Sequence, residues 1–248
     1  MEKQEYSVMY HLEDHYWWYN GLRHMVTTML TRAGVSSAAS LLDAGCGTGG
    51  ILEHVAKKRG ITGIGFDFAA DGLVCCRQRG LNRLVRASIN EIPFAANAFD
   101  VILSLDVLCH RSIRDDVAVL KDIHRALRPG GLVLLNLPAY DALKSSHDAA
   151  VHTAHRFNRR EMRSKLHSAG FTDIRLSYRN TVLFPALAAV RLLRKRSVKP
   201  HEEGTSDLNE IAAPLNALLT GILYFENGLM RFIDLPFGLS LLCMARKS

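Results

Sequence analysis

The sequence predicts a doubly wound α/β domain, and three observations carry that reading. Residues 41–50, LLDAGCGTGG, run from a short apolar strand through a glycine-rich turn into a helix. A second apolar run, ITGIGFD, ends in Asp67, eighteen residues beyond Gly49, which is close to strand–helix–strand spacing. The same alternation of short apolar strands and amphipathic helices then continues along the chain, and right-handed crossovers between such strands give a parallel sheet.

In order, the region before Ser36 reads as two helices. Strand 40–43 follows, then helix 50–58, strand 61–67, helix 69–79, strand 83–88, strand 100–105, helix 115–127 and strand 132–137. Asn158 is placed to cap a helix over 160–169, and Gly170 to end it. Residues 171–178 and 240–246 read as the last two strands. The chain divides as one domain over 1–248: an N-terminal helical lid (1–35), a core (36–180 and 239–248) and a helical insertion (181–238).

The glycine turn is built for a ligand. Gly45, Gly47, Gly49 and Gly50 let a molecule lie against bare backbone, with amide N–H groups offered by the next helix. Gly45, Gly47 and Gly50 also satisfy G-x-G-x-x-G, so a nicotinamide dinucleotide stays among the alternatives. Asp43, at the strand tip, weighs against it. A carboxylate there crowds a pyrophosphate and suits a ligand that brings positive charge, such as the amino group of S-adenosylmethionine (SAM).

Over residues 39–178 the chain resembles the class I SAM-dependent methyltransferases, small-molecule type. LLDAGCGTGG is similar to that family's first motif. Asp67 ends the second strand, where the family places an acid on the ribose. Ile92-Pro93-Phe94, Phe99-Asp100 and the run from Arg125 to Gly131 (RALRPGG) follow in the family's order. The resemblance implies a Rossmann-like seven-stranded sheet of order 3-2-1-4-5-7-6, with the last strand antiparallel. It implies SAM as cofactor and S-adenosylhomocysteine as product. Asp43, Gly45, Cys46, Gly47, Asp67 and Phe68 would hold the cofactor, with Ser88 and Ile89 edging the adenine and Leu105 lining the pocket. Many members carry Asp where this chain has Ser88, so the adenine contact would rest on a hydroxyl.

Composition bounds the remaining options. The chain has 248 residues, 22% of them charged, and no apolar run long enough to span a bilayer. Its first residues, MEKQEYSVMYHLED, do not read as a secretory leader. Five cysteines, Cys46, Cys75, Cys76, Cys109 and Cys243, lack metal or C-x-x-C spacing and read as reduced residues of a cytoplasmic protein. The net charge of +7 concentrates in RLLRKRSVK, residues 191–199. This stretch reads first as the cationic end of a surface helix. Its alternative readings are contact with an anionic membrane surface and docking of an RNA or protein substrate. No RNA-recognition motif accompanies it, so nucleic acid is not the expected partner.

Two decorations would build the acceptor site. The first is the N-terminal run from His15 to Tyr19 (HYWWY), with Trp17 as an aromatic face for a sulfonium and Arg23 as a partner for the cofactor carboxylate. The second is SSHDAAVHTAHRF, residues 145–157, just after the fifth strand. Its His147, His152 and His155, together with His110 and Tyr140, are the candidates for proton transfer or substrate hydrogen bonding. No metal is expected, although His152 and His155 would share a helix face. The apolar insertion 181–238 suggests a hydrophobic acceptor, a cap on the pocket or a homodimer interface. The expected function is methyl transfer to a small-molecule acceptor, with an RNA or protein methyltransferase and a non-catalytic SAM-binding regulatory module as alternatives.

Overall fold

The computed structural model describes residues 3–185, 187–189 and 211–248. Seven strands form its sheet: β1 (Leu41–Ala44), β2 (Ile64–Asp67), β3 (Leu84–Arg86), β4 (Phe99–Leu105), β5 (Leu127–Pro138), β6 (Phe171–Arg179) and β7 (Ser240–Lys247). Their order is β3-β2-β1-β4-β5-β7-β6, as the resemblance implied. The first five are parallel, and β7 lies antiparallel between β5 and β6. The helices are α1 (Lys3–Leu12), α2 (Trp17–Arg32), α3 (Gly50–Arg59), α4 (Ala70–Gln78), α5 (Asp116–Ala126), α6 (Ser146–Ala150), α7 (Arg159–Ser168) and α8 (Ala213–Leu229).

The two-residue period of the strands sorts the core into two layers. Leu41, Val101, Leu103, Leu132 and Leu134 join α2, α3 and α4 on one face. Leu42, Ile102, Val133 and Leu135 join α5 and α7 on the other. Because both faces of β1, β4 and β5 are covered, these strands read as continuous apolar runs rather than alternating ones. The helix ends follow local chemistry. Asp115 caps α5 by accepting from the backbone N–H groups of Val117 and Ala118. Asn158 caps α7 through the Glu161 N–H, and Gly170 leaves that helix at φ +94°.

Three packings position the ligand edge. The turn after β1 is pinned to β2, since Gly45 N and Cys46 N both donate to the Phe66 carbonyl at 2.9 Å. Helix α4 lies directly against this turn: a Cβ on Gly72 would stand 2.6 Å from the Gly47 carbonyl oxygen. Helix α8, the second arm of the insertion, packs on α2. Asn227 Nδ2 donates to the Gly21 carbonyl at 2.8 Å, and Trp17 N donates to Asn216 Oδ1 at 2.8 Å. This arm therefore braces α2 from the side instead of capping the sheet edge. The basic stretch 191–199 lies outside the described residues.

Gly72→Ala tests the contact between α4 and the turn. The added methyl meets backbone, which cannot rotate away, so α4 must shift. The expected cost is about 1–3 kcal/mol of stability by denaturant titration, accompanied by weaker ligand binding at the turn.

Candidate functional site

A cavity of about 1430 Å³ opens at the carboxyl ends of β1, β2 and β4, where ligands bind in doubly wound sheets. Single-ligand pockets are commonly about 300–1,000 Å³, so this one has room for two molecules side by side. Its walls are the glycine turn, α1, α2, the loops after β3 and β4, and residues of the 148–156 segment.

The turn side is acidic and buried. Asp43 lines the cavity at 2% exposure, and among the described residues none donates a hydrogen bond to its carboxylate. Burial, aided by the nearby Glu13 and Asp67 carboxylates, pushes its pKa up to about 8. Asp67 accepts from Gly47 N and Ala69 N at 2.9 Å each and from the Tyr6 hydroxyl, and burial still holds its pKa above the usual range. Glu13 bonds the Thr48 hydroxyl and pairs with Arg79 at 3.2 Å, again with burial raising its pKa. Bare backbone faces this cluster. Gly45 has φ +88° and a Cβ there would meet Val107 at 2.4 Å; Gly47 has φ +54° with Met9 Cε at 2.8 Å from the same construction. Three buried carboxylates around a glycine cradle, one of them without a donor, fit a cofactor carrying positive charge. They oppose a pyrophosphate.

Most of the expected cofactor residues line this cavity: Gly45, Cys46, Gly47, Phe68, Ile89 and Leu105 join Asp43 and Asp67, and Trp17 flanks them. Ser88 lines it as well, but its oxygen accepts from both Asn90 N and Asn90 Nδ2 at 3.2 Å. Its own hydroxyl hydrogen is then the group left for a ligand, so Ser88 donates where an aspartate would accept. Arg23 is a correction. Its guanidinium is spent on the Glu13 and Asp14 carbonyls and on Asn20 Oδ1, tying the α1–α2 turn, and it does not reach the cavity.

The histidine candidates separate. His110 and His152 both line the cavity, with ring centroids 5.5 Å apart. The backbone N–H of Ser112 donates to His110 Nδ1 at 3.1 Å, so the proton of the neutral ring resides on Nε2. Burial lowers the His110 pKa to about 4, which keeps the ring neutral and makes it a hydrogen-bond donor to the cavity. His155 stands elsewhere: its two nitrogens face Asp141 at 3.0 Å and Glu161 at 2.9 Å. Tyr140 is likewise withdrawn, stacked on Tyr178 at 5.1 Å and edge-on to Phe184. Tyr140 leaves β5 at φ +60°, which swings its ring onto β6. His147 belongs to α6, and its side chain lies outside the described residues.

Several site residues had no motif to announce them. Tyr6 and Met9 of α1 and Glu13 just after it reach the glycine turn only through the fold of the N-terminal helices. Arg156 grips Asp148 with two bonds of 2.8 Å, a buried bidentate pair on the cavity wall. Asp106, at the end of β4, also lines the cavity. Lone polar residues inside apolar strands, such as Asn136 in LVLLNLP, were the available signal for its support.

Comparison with known proteins agrees with this geometry. Residues 42–135 match the family model described as "Methyltransferase domain". The chain is 34% identical over 132 residues to malonyl-[acyl-carrier protein] O-methyltransferase of Enterobacter lignolyticus, covering 52% of this chain and 51% of that protein. It is 30% identical over 137 residues to the ubiquinone/menaquinone biosynthesis C-methyltransferase UbiE of Bdellovibrio bacteriovorus, covering 50% and 57%. The chain thus spans about half the length of these curated relatives. In fold it is similar to a putative methyltransferase of Haloferax volcanii solved with its Trm112 activator, at TM-score 0.62 and 17% identity, covering 95% of this chain and 92% of that one. The motif order, the strand order and the family match agree: residues 42–135 carry a methyltransferase domain, set in a sheet of the strand order that the class I SAM-dependent methyltransferase resemblance implied.

Proposed function

We propose that this chain binds SAM against the glycine turn and transfers its methyl group to a small-molecule acceptor held in the rest of the cavity. The observation that carries this reading is Asp43. A buried carboxylate without a protein cation needs one from a ligand, and SAM brings an ammonium and a sulfonium. When bound, SAM supplies a methyl group already activated by the positive charge on sulfur.

The protein's share of the work is then to bind and orient. Asp43 and Glu13 supply negative charge for the cofactor's cationic groups, Asp67 an acceptor for ribose hydroxyls, and Ser88 and Ile89 an edge for the adenine. Holding the nucleophile about 3–3.5 Å from the methyl carbon and in line supplies most of the acceleration such a site gives. On the acceptor side, Trp17, Trp18 and Tyr19 of α2 line the cavity together with His152 and the Arg156–Asp148 pair. Such a bounded chamber favours a small molecule or a flexible arm over a folded polymer. The named activities of the relatives, on a malonyl carrier conjugate and on quinones, run the same way. Among the described residues no helix is long and apolar enough to cross a membrane.

Calorimetric titration with SAM, S-adenosylhomocysteine and NAD in parallel tests the assignment. Micromolar binding of the first two without NAD is the expected result; binding of NAD alone would overturn it. Gly47→Val is expected to abolish SAM binding, because the side chain enters the cradle at a positive φ that β-branched residues resist.

Asp43 also sets a pH dependence. Its ordinary pKa is 3.8, and in the folded protein it rises to about 8. Between those values the folded state holds a proton that the unfolded state has released. Raising pH therefore favours unfolding, by up to about 1.4 kcal/mol per pH unit. Asp43→Asn is expected to remove this slope from ligand-free stability measured by denaturant titration at pH 5 to 8, while weakening SAM binding at least tenfold.

A further inference from the structure

We propose that Asp106 accepts the proton of the methyl acceptor's hydroxyl, and that Asn136 and Arg179 are positioning residues that hold its carboxylate ready. This rests on the methyltransferase reading above and adds to it the acceptor class, a hydroxyl compound, and the group that activates it.

Asp106 ends β4 beside the β1 tip that carries Asp43, and it lines the same cavity. Its backbone is left-handed, φ +58°, a conformation that aspartate and asparagine tolerate better than other residues with a side chain. Asn136 of β5 holds it there twice. The Asn136 carbonyl receives the Asp106 N–H at 2.8 Å, and Asn136 Nδ2 lies 3.0 Å from each Asp106 carboxylate oxygen.

The direction of that second contact is fixed from behind. Arg179 of β6 is completely buried, and its guanidinium can only donate; Nη1 gives to Asn136 Oδ1 at 2.8 Å. With Oδ1 so engaged, the amide must present its N–H groups to Asp106. A donating partner favours the ionised carboxylate, which is the form that can take a proton. One amide also leaves carboxylate lone pairs for a ligand.

The charges facing Asp106 come from four directions. The Asn136 amide, Arg179 on β6 and Arg156 on the 148–156 segment favour its ionised form; the protein packed around the carboxylate opposes them and holds its pKa at about 6, although the side chain stays open to the cavity. Tyr19 on α2 and Cys109 just after β4 face it as neutral groups, both pushed above their usual values by burial and by Asp106 itself. A carboxylate open to the cavity, mostly ionised at neutral pH yet more basic than an ordinary aspartate, has the tuning of a general base. Two of the histidines are engaged elsewhere: His110 Nδ1 faces the Ser112 N–H and hydroxyl, and His155 faces Asp141 and Glu161, which leaves His152 as the histidine that shares the cavity with Asp106.

In the step itself the acceptor's O–H bond breaks and its proton forms an O–H bond to Asp106. The electron pair stays on the acceptor oxygen and becomes the nucleophile for the methyl group. Asp106 returns to its ionised form by releasing the proton to water after product leaves.

The test uses the full-length protein, Asp106→Asn and Asn136→Leu. Asparagine tolerates the left-handed backbone and keeps the size of the side chain. Three readouts are taken: SAM affinity by calorimetry, ¹³C-carboxyl NMR of aspartate-labelled protein against pH, and transfer of radiolabelled methyl from SAM to a panel of phenols and primary alcohols. A carboxyl signal titrating near pH 6 in the wild type and missing from Asp106→Asn is expected. So is a rate lowered about 10²–10⁴-fold with SAM affinity within twofold of wild type. The wild-type rate should rise through pH 6 to a plateau, and Asn136→Leu should move that limb to higher pH. No carboxyl titrating between pH 5 and 7, or Asp106→Asn turning over within threefold of wild type, overturns the proposal; an unmoved limb in Asn136→Leu overturns the positioning role. Absence of SAM binding in the wild type would instead sink the methyltransferase reading, and the carboxyl titration would then decide the state of Asp106 alone.

Discussion

The burial of Asp43 inside a glycine turn is the constraint on which the ligand edge depends. An ionised carboxylate taken out of water costs several kcal/mol unless charge or hydrogen bonds compensate it. Here the protein adds like charge, from Glu13 and Asp67, in place of a cation. The arrangement is tolerable only if the proton stays on or a cationic ligand arrives. The close contacts around it follow from the same need. Val107 seals Gly45, Met9 covers Gly47 and Gly72 lets α4 approach the turn, so little water reaches the carboxylate except through the cavity. Binding chemistry and local stability are thereby coupled through one residue.

A second polar system crosses the sheet where β5, β7 and β6 meet. Asn136, Ser177, Arg179 and Ser240 are all buried within β5, β6 and β7. Buried polar groups of this kind destabilise a core unless they are bonded, and hydrophobic replacements are often at least as stable. Their partners run toward the ligand edge: Arg179 to Asn136, Asn136 to Asp106, and Asp106 to the cavity. Glu226 of α8 closes the far end by accepting from the backbone N–H groups of Asn180, Thr181 and Val182. The insertion's helix thus contributes to the site without touching it, by fixing the end of β6 that carries Arg179.

The N-terminal helices and the 148–156 segment enclose the cavity by different means. Helix α1 and the turn that follows it contribute specific contacts, Tyr6 on Asp67 and Glu13 on Thr48. Helix α2 contributes aromatic surface and is itself held by α8. The 148–156 wall depends on the Arg156–Asp148 pair, whose bidentate geometry gives orientation as well as energy.

The sequence by itself determined the alternation of strands and helices and the glycine turn from local signals, namely apolar strand runs, Asp43 and Asp67 at strand tips and glycines spaced for a turn, while the strand order came with the family resemblance that those motifs carry. Only the tertiary structure decided the roles of individual titratable groups. Arg23, Tyr140 and His155 are chemically suited to a site, yet nearer partners claimed them: the Glu13 and Asp14 carbonyls, the Tyr178 ring, and the Asp141 and Glu161 carboxylates. Asp106 lay unremarked between a strand and a loop until Asn136 and Arg179, 30 and 43 residues farther along successive links, were folded against it. Strand identity is a property of neighbouring residues along the chain. Protonation, tautomer and exposure are properties of neighbours in space, which a linear pattern does not record.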